Sequence, residues 1–268
     1  MDGIKAISED ELRDIASKMP YSWLVLVKDY YITIMLCLLK EIDGIYFKGG
    51  TALQKVFLRH TRLSEDIDYT VKGNLKEIIE KITGILEKSG LFTGMAVEKE
   101  REGFARITAK YRAFGKYEGS VFIDLNSRGT ILRNPEMHSV NHFYAGFIPE
   151  FEIRTLAKAE AAAEKVRAAI QRNKPRDHYD IYMILKAGIP IDNEIVRMKC
   201  ADSGIEFDIT KMFNKASRLK HRWDDDLMPL MAEKVSFDEV MKTLAGHFKL
   251  KEEKKAKKEF NAKKQKTG

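Results

Sequence analysis

Asp66 and Asp68 are the residues of this chain best spaced for chemistry. Residues two apart on a strand point to one face, so a strand through Asp66-Ile67-Asp68 puts both carboxylates side by side. Crowded carboxylates repel one another unless a cation sits between them. Magnesium is held in this way by one or two carboxylates together with phosphate oxygens. Two such ions clamp the attacking and leaving oxygens of a phosphoryl displacement. Fourteen residues upstream of the pair lies Phe47-Lys48-Gly49-Gly50-Thr51. Glycines at a strand-to-helix turn let the backbone approach a ligand closely, and the free N–H groups of the following helix suit a phosphate. Gly-Gly alone is usually a turn, and Asp-x-Asp alone is usually a solvated strand face. The order strand, Gly-Gly-Thr turn, helix, paired-acid strand is far more specific. A third carboxylate is expected on a neighbouring strand, and Asp124, the one acid in the apolar run Val121-Phe122-Ile123-Asp124-Leu125, is the candidate metal ligand and proton acceptor.

The elements that must position these residues read as a mixed α/β half followed by a helical half. Ser8 and Glu11 form a capping box before a short helix. An apolar segment from Trp23 to Glu41 reads as a buried helix, and Ile45-Tyr46-Phe47 as a buried strand. Residues Asp66 to Val71 form the acid-bearing strand. Leu75, Ile78, Ile79, Ile82, Ile85 and Leu86 follow at helical spacing. Ala96–Glu100, Ala105–Ala113 and Ser120–Leu125 read as strands separated by turn residues. After Pro149 the periodicity is almost wholly helical. The expected organisation is an α/β core over residues 1–149, a helical lobe over 150–248 that completes the site, and a basic, low-complexity, frayed tail over 249–268.

Composition narrows the function classes. The 268 residues are 44% hydrophobic and 32% charged, which places the chain with globular proteins and not with disordered ones. The net charge of +7 points to an anionic partner, but the tail from Lys249 onward holds nine lysines against three glutamates and so supplies six of the seven charges. Cys37 and Cys200 are far apart and have no CxxC neighbour, which excludes a zinc ribbon and a disulfide framework. The acidic N-terminal residues MDGIKAISEDELRD have neither the basic nor the apolar region of a secretory signal. Lys28 and Asp29 interrupt the most apolar stretch, so no membrane span is expected and a cytoplasmic location fits. His60, His138, His142 and His221 form no ligand constellation, and Asp224-Asp225-Asp226 reads as an acidic helix end.

The segment Lys48-Gly49-Gly50-Thr51-Ala52-Leu53, taken with Arg62-Leu63-Ser64-Glu65-Asp66-Ile67-Asp68, resembles the AbiEii/AbiGii toxin family of nucleotidyltransferases, within the DNA polymerase β-like superfamily. Ala163-Glu164-Lys165-Val166-Arg167-Ala168 and Arg176-Asp177-His178-Tyr179-Asp180 are similar to that family's helical Lys and Arg-Asp-x-x-Asp motifs. Trp223, Leu227 and Phe237-Asp238-Glu239-Val240 are similar to its C-terminal helices. The resemblance runs over residues 40 to 245. It implies a nucleotidyltransferase-fold mixed sheet with flanking helices and a second, helical lobe. It further implies an NTP substrate, two magnesium ions, and a toxin of a toxin–antitoxin or phage-defence pair with an antitoxin partner; some members modify tRNA ends. Carried over by residue, it implies nucleotide binding by Lys48, Gly49, Gly50, Thr51 and Ser64. Thr51 stands where the superfamily often has Ser and keeps the hydroxyl for a phosphate oxygen.

In the helical half, Lys158, Lys165 and Arg172 recur every seven residues and share a helix face. Lys165 is expected to neutralise charge on the triphosphate. Asp180 is expected to orient Lys165 or a water, and Asp177 either caps a helix or joins the site. Arg176 either holds phosphate or pairs with an acid. The acceptor hydroxyl belongs to RNA such as tRNA, to a protein, or to a small molecule. A non-catalytic nucleotide- or partner-binding module and an NTP-dependent kinase are the competing readings.

Overall fold

The computed structural model describes the backbone of residues 3–267 and their side chains, except those of 99, 260, 261 and 263–267. α1 (Glu9–Ser17) begins at the expected capping box: the Ser8 N–H donates to the Glu11 carboxylate at 2.8 Å, and the Glu11 N–H donates back to Ser8 Oγ at 3.2 Å. α2 (Trp23–Leu39) is apolar on nearly every side and is buried to match, with Leu26, Ile32, Met35, Leu36 and Leu39 wholly enclosed. Its one buried charge, Asp29, meets Lys55 Nζ at 2.7 Å. Lys55 also donates to Thr33 Oγ1, and the Tyr144 hydroxyl donates to the Asp29 carboxylate. Burial pulls the Lys55 pKa down, and Asp29 opposes that shift.

β1 (Ile45–Lys48) runs into α3 (Gly49–Ala52), which widens at once into a π-helical turn over Leu53–Phe57. β2 (Asp66–Val71), α4 (Leu75–Ser89), β3 (Gly94–Arg101), β4 (Phe104–Ala113), β5 (Tyr117–Asn126), β6 (Glu136–Ser139) and β7 (Glu152–Thr155) complete the α/β part. The seven strands form one sheet in the order β3-β4-β5-β2-β1-β7-β6. β2/β5 and β1/β7 are parallel and the other pairs antiparallel, so the sheet is mixed. Ile67, Tyr69 and Val71 of β2, Ile107 of β4, and Val121, Ile123 and Leu125 of β5 share one fully buried face, in one core with α2 and α4. Period-two alternation therefore turns Asp66, Asp68, Arg106 and Asp124 to the other face.

α5 (Lys158–Arg172), α6 (Pro175–Lys186), α7 (Asn193–Asp202), α8 (Ala216–His221), α9 (Trp223–Leu227), α10 (Phe237–His247) and α11 (Leu250–Thr267) follow. The chain divides into two compact units: Met1–Ala161 with Pro229–Glu233, and Ala162–Met228 with Lys234–Gly268. No helix among the described residues is long and apolar enough to cross a membrane.

Three features differ from the expectations. The α/β unit extends past Pro149, because β7 joins the sheet beside β1 with Phe47 opposite Thr155. Pro229–Glu233 returns to that unit, and the Leu63 N–H donates to the Leu230 carbonyl at 2.8 Å. The basic tail forms the helix α11 instead of fraying, since Lys, Glu and Ala are good helix formers. Lys257 bonds to Asp208 and ties that helix to its own unit.

The buried Lys55 has a consequence for pH. His60 is 7% exposed and, with its Nε2 2.9 Å from the Asn141 carbonyl, is held there as the donor. Burial first, and then the charge of Lys55, pushes its pKa from 6.5 to about 4. Between those values the unfolded chain takes up a proton that the native chain refuses, so stability is full above pH 6.5 and drains as pH falls toward 4. The loss attributable to His60 amounts to about 3 kcal/mol over that window. Denaturant titrations at pH 7 and pH 5 should show a shallower drop in His60→Gln than in the wild type. An identical drop in both would assign the acid sensitivity to other groups.

Candidate active site

Strand register assembles the acidic face. Asp68 lies opposite Asp124 in the parallel β2/β5 pair and opposite Lys48 in the antiparallel β1/β2 pair. Asp66 lies opposite Phe122, and Arg106 of β4 lies opposite Asp124. Residues directly opposite in a ladder share a face, so one face gathers Lys48, Asp66, Asp68, Arg106, Phe122 and Asp124 from four adjacent strands.

The glycine turn serves this face in a way the sequence reading did not foresee. Gly49 has φ +78°, and a Cβ on it would stand 2.1 Å from Asp68 Oδ2. The space that the missing side chain leaves is taken by the Asp68 carboxylate. At Gly50 a Cβ would stand 2.9 Å from Arg62 Nη2 and 3.0 Å from Ser64 Oγ. Thr51 is buried, and its hydroxyl donates to the Asp66 carbonyl. Thr51 thus fastens the turn to β2, where a hydroxyl open to a phosphate oxygen was expected. Arg62, 2% exposed, donates through Nη1 to its neighbour Leu63's carbonyl at 2.8 Å and props the same turn.

Asp124 is engaged by an arginine. Arg106 Nε reaches Asp124 Oδ1 at 2.6 Å, and Nη2 reaches Oδ2 at 2.6 Å, in a bidentate pair whose side chains are 28% and 18% exposed. Asp124 raises the Arg106 pKa, burial opposes the rise, and the charges of Asp66 and Asp68 add to it. The Arg106 guanidinium also lies 5.2 Å from the centre of the Phe122 ring. The sequence reading missed Arg106, although the alternation of Arg106, Lys110 and Arg112 along one strand was visible. The three acids stand on two adjoining strands and one face, but among the described residues no three His, Cys, Asp or Glu side chains are placed so that together they could hold a metal ion. The donor set on the face is oxygen-only and acidic, with Asp68 fitted into a cradle at Gly49, and this chemistry fits a hard octahedral cation.

The second unit holds the helical motif. Lys165 of α5 is 6% exposed, with Nζ 3.2 Å from Asp177 Oδ1 and 2.9 Å from Asp180 Oδ2 of α6. Arg172 adds two bonds to Asp177, at 2.7 and 2.8 Å. Burial raises the Asp177 pKa, and Lys165 and Arg172 more than reverse that, so Asp177 stays ionised well below the usual carboxylate range. Asp177 makes no helix cap; it is an ion-pair partner in the first turn of α6. Pro175 starts α6, and the partly exposed Arg176 sits in that first turn. Removing Lys165 would take from the enclosed Asp177 and Asp180 the cation that they share. Lys165→Ala is expected to lower the unfolding free energy by about 3–5 kcal/mol. Arg172→Ala, with its side chain half exposed, is expected to cost about 1 kcal/mol or less beyond its lost packing. Equal effects in urea melts would refute this ranking.

The profile described as "Nucleotidyl transferase AbiEii toxin, Type IV TA system" matches residues 36–243. No curated protein matches the chain. Among solved structures, JHP933 from Helicobacter pylori is similar at 17% identity and TM-score 0.56, over 91% of this chain and 99% of that one. MenT4, a nucleotidyltransferase toxin from Mycobacterium tuberculosis H37Rv, is similar at 19% identity and TM-score 0.56, over 82% of this chain and 73% of that one. A putative nucleotidyltransferase from H. pylori is similar at 17% identity and TM-score 0.58, over 88% and 98%. These likenesses are of fold. With the family profile spanning most of its length and the motif residues gathered on one sheet face, the chain belongs to the AbiEii family of nucleotidyltransferase toxins.

Proposed function

We propose that the protein transfers NMP from an NTP to an acceptor hydroxyl in a magnesium-dependent reaction, with pyrophosphate leaving. The observation that carries this reading is the register of Asp68 with Asp124, beside Asp66 on the same face and against the bare Cα of Gly49. In this proposal Asp66, Asp68 and Asp124 hold magnesium, with two ions as the expected complement. Bound metal would screen the phosphate charge and favour the displacement. Asp124 also serves as the acceptor of the hydroxyl proton. Lys48, Gly49, Gly50 and Ser64 border the triphosphate, and Thr51 keeps their turn on β2. In the second unit Lys165, Asp180 and Arg176 are the proposed site residues, and the buried Lys165–Asp180 pair supports a lysine fixed in place by its carboxylate.

The acceptor proposed is RNA, with tRNA ends the leading substrate and a protein hydroxyl the alternative. A cognate antitoxin is implied by the family, and a role in phage defence and a cytoplasmic site of action are parts of the same proposal. Incubating the protein with each labelled NTP, total RNA and total protein, and asking which fraction gains label, identifies both substrates. Product mass separates nucleotide transfer from phosphate transfer.

Asp68→Asn keeps the size of the side chain and removes one metal-binding charge. It is expected to fold, to melt no lower than wild type without magnesium because like-charge crowding is relieved, to lose the magnesium-induced rise in melting temperature, and to lose transfer. Full transfer by Asp68→Asn would end the metal-carboxylate reading.

The lysines of α11 are proposed to add salt-dependent affinity for RNA. A chain ending at Lys249 should bind RNA more weakly at low salt, with a smaller slope of log affinity against log salt. An unchanged slope would leave those lysines no part in RNA binding.

A further inference from the structure

We propose that Arg106 is a built-in counter-ion that holds Asp124 in the absence of metal and must release it before Asp124 can serve the metal. The inference deepens the proposed metal-dependent reading and rests on it. Both Asp124 oxygens are occupied by one guanidinium at 2.6 Å each, through Nε and Nη2. A carboxylate so engaged has given two of its roughly four acceptor directions, and much of its charge, to the arginine, and is the weaker ligand to a cation for it. Arg106 comes from the directly opposed position on β4, so the pairing is set by the sheet. After Asp124, the charges acting on Arg106 are those of Asp66 and Asp68, so the guanidinium is a counter-ion to more than one acid of the face.

Three further facts make this pair exchangeable. Its side chains are 28% and 18% exposed, so water reaches the pair and lowers the cost of parting it. The Phe122 ring, 5.2 Å from the guanidinium, offers a second resting surface on the same face. A planar fork that suits a carboxylate also suits a phosphate. The released arginine therefore has a partner of the same geometry when a triphosphate is present. Arg106 is in this sense a positioning residue for Asp124, and its pairing makes metal binding and nucleotide binding mutually supportive.

The test uses the full chain without nucleotide and reads metal affinity. Manganese(II), an octahedral, oxygen-seeking stand-in for magnesium, is titrated and the free ion followed by its paramagnetic resonance signal. Arg106→Gln should bind manganese roughly tenfold more tightly than wild type, equivalent to about 1.4 kcal/mol no longer spent on parting the pair. Arg106→Lys, a point charge that cannot hold both oxygens, should fall between the two. It carries the test alone if the glutamine variant does not fold. Unchanged or weaker manganese binding in the folded variants would overturn the proposal. Asp68→Asn is the control: if it binds manganese as well as wild type, the metal-site reading beneath the proposal fails instead.

Discussion

The acidic face depends on one close approach, that of the Asp68 carboxylate to the Cα of Gly49. Any side chain there would claim the same space, since even a Cβ would come within 2.1 Å of Asp68 Oδ2. The conformation compounds the constraint, because φ +78° is disfavoured for residues with a Cβ. Around this contact the fold builds a clamp. Thr51 bonds to the carbonyl of Asp66, and Arg62 and Ser64 fill the space beside Gly50. Lys55, in the π-helical turn that follows, anchors the far end of the segment to Asp29 of α2. The glycine motif is thus chiefly a device for holding β2 and its acids in place, and backbone access for a ligand comes second.

Much of this was legible in the sequence because the deciding signals are local. Capping at Ser8, the apolar run of α2, the period-two pattern of β2 and the helical spacing of α4 each fix an element from its own residues. Asp124 could be assigned to the acidic face because a lone acid in an apolar strand must turn away from the core. Signals that depend on distant partners were not legible. β6 and β7 have four residues each, and Glu152 and Arg154 alternate with Ile153 and Thr155 over too short a run to show a period. Arg106 shares its strand face with Lys110 and Arg112, and only the register with β5 distinguishes the arginine that meets Asp124. Thr51 has the residue type expected of a phosphate contact, yet its hydroxyl is spent on a carbonyl fifteen residues away. The order of α11 rests on helix propensity and on a partner, Asp208, far from Lys257 in sequence, and a low-complexity pattern carries no sign of either.

The two units hold their charges under opposite regimes, and this separates residues that the motifs alone place on equal terms. Lys165, Asp177 and Asp180 are sealed from water, so parting any of them leaves an enclosed charge at a cost of several kcal/mol, about 3–5 by comparison with other buried pairs. Such a set cannot exchange partners during turnover; it fixes a lysine in place. Arg106 and Asp124 make a pair just as direct, yet both are partly open to solvent, where breaking an ion pair costs about 1 kcal/mol or less unless geometry adds to it. Bidentate geometry raises that figure and keeps the pair closed until a competing cation and a competing anion arrive together. Exchange of partners therefore belongs to the sheet face and rigidity to the α5/α6 cluster. Loss of activity in a Lys165 variant would have to be read against its stability before it could be assigned to chemistry.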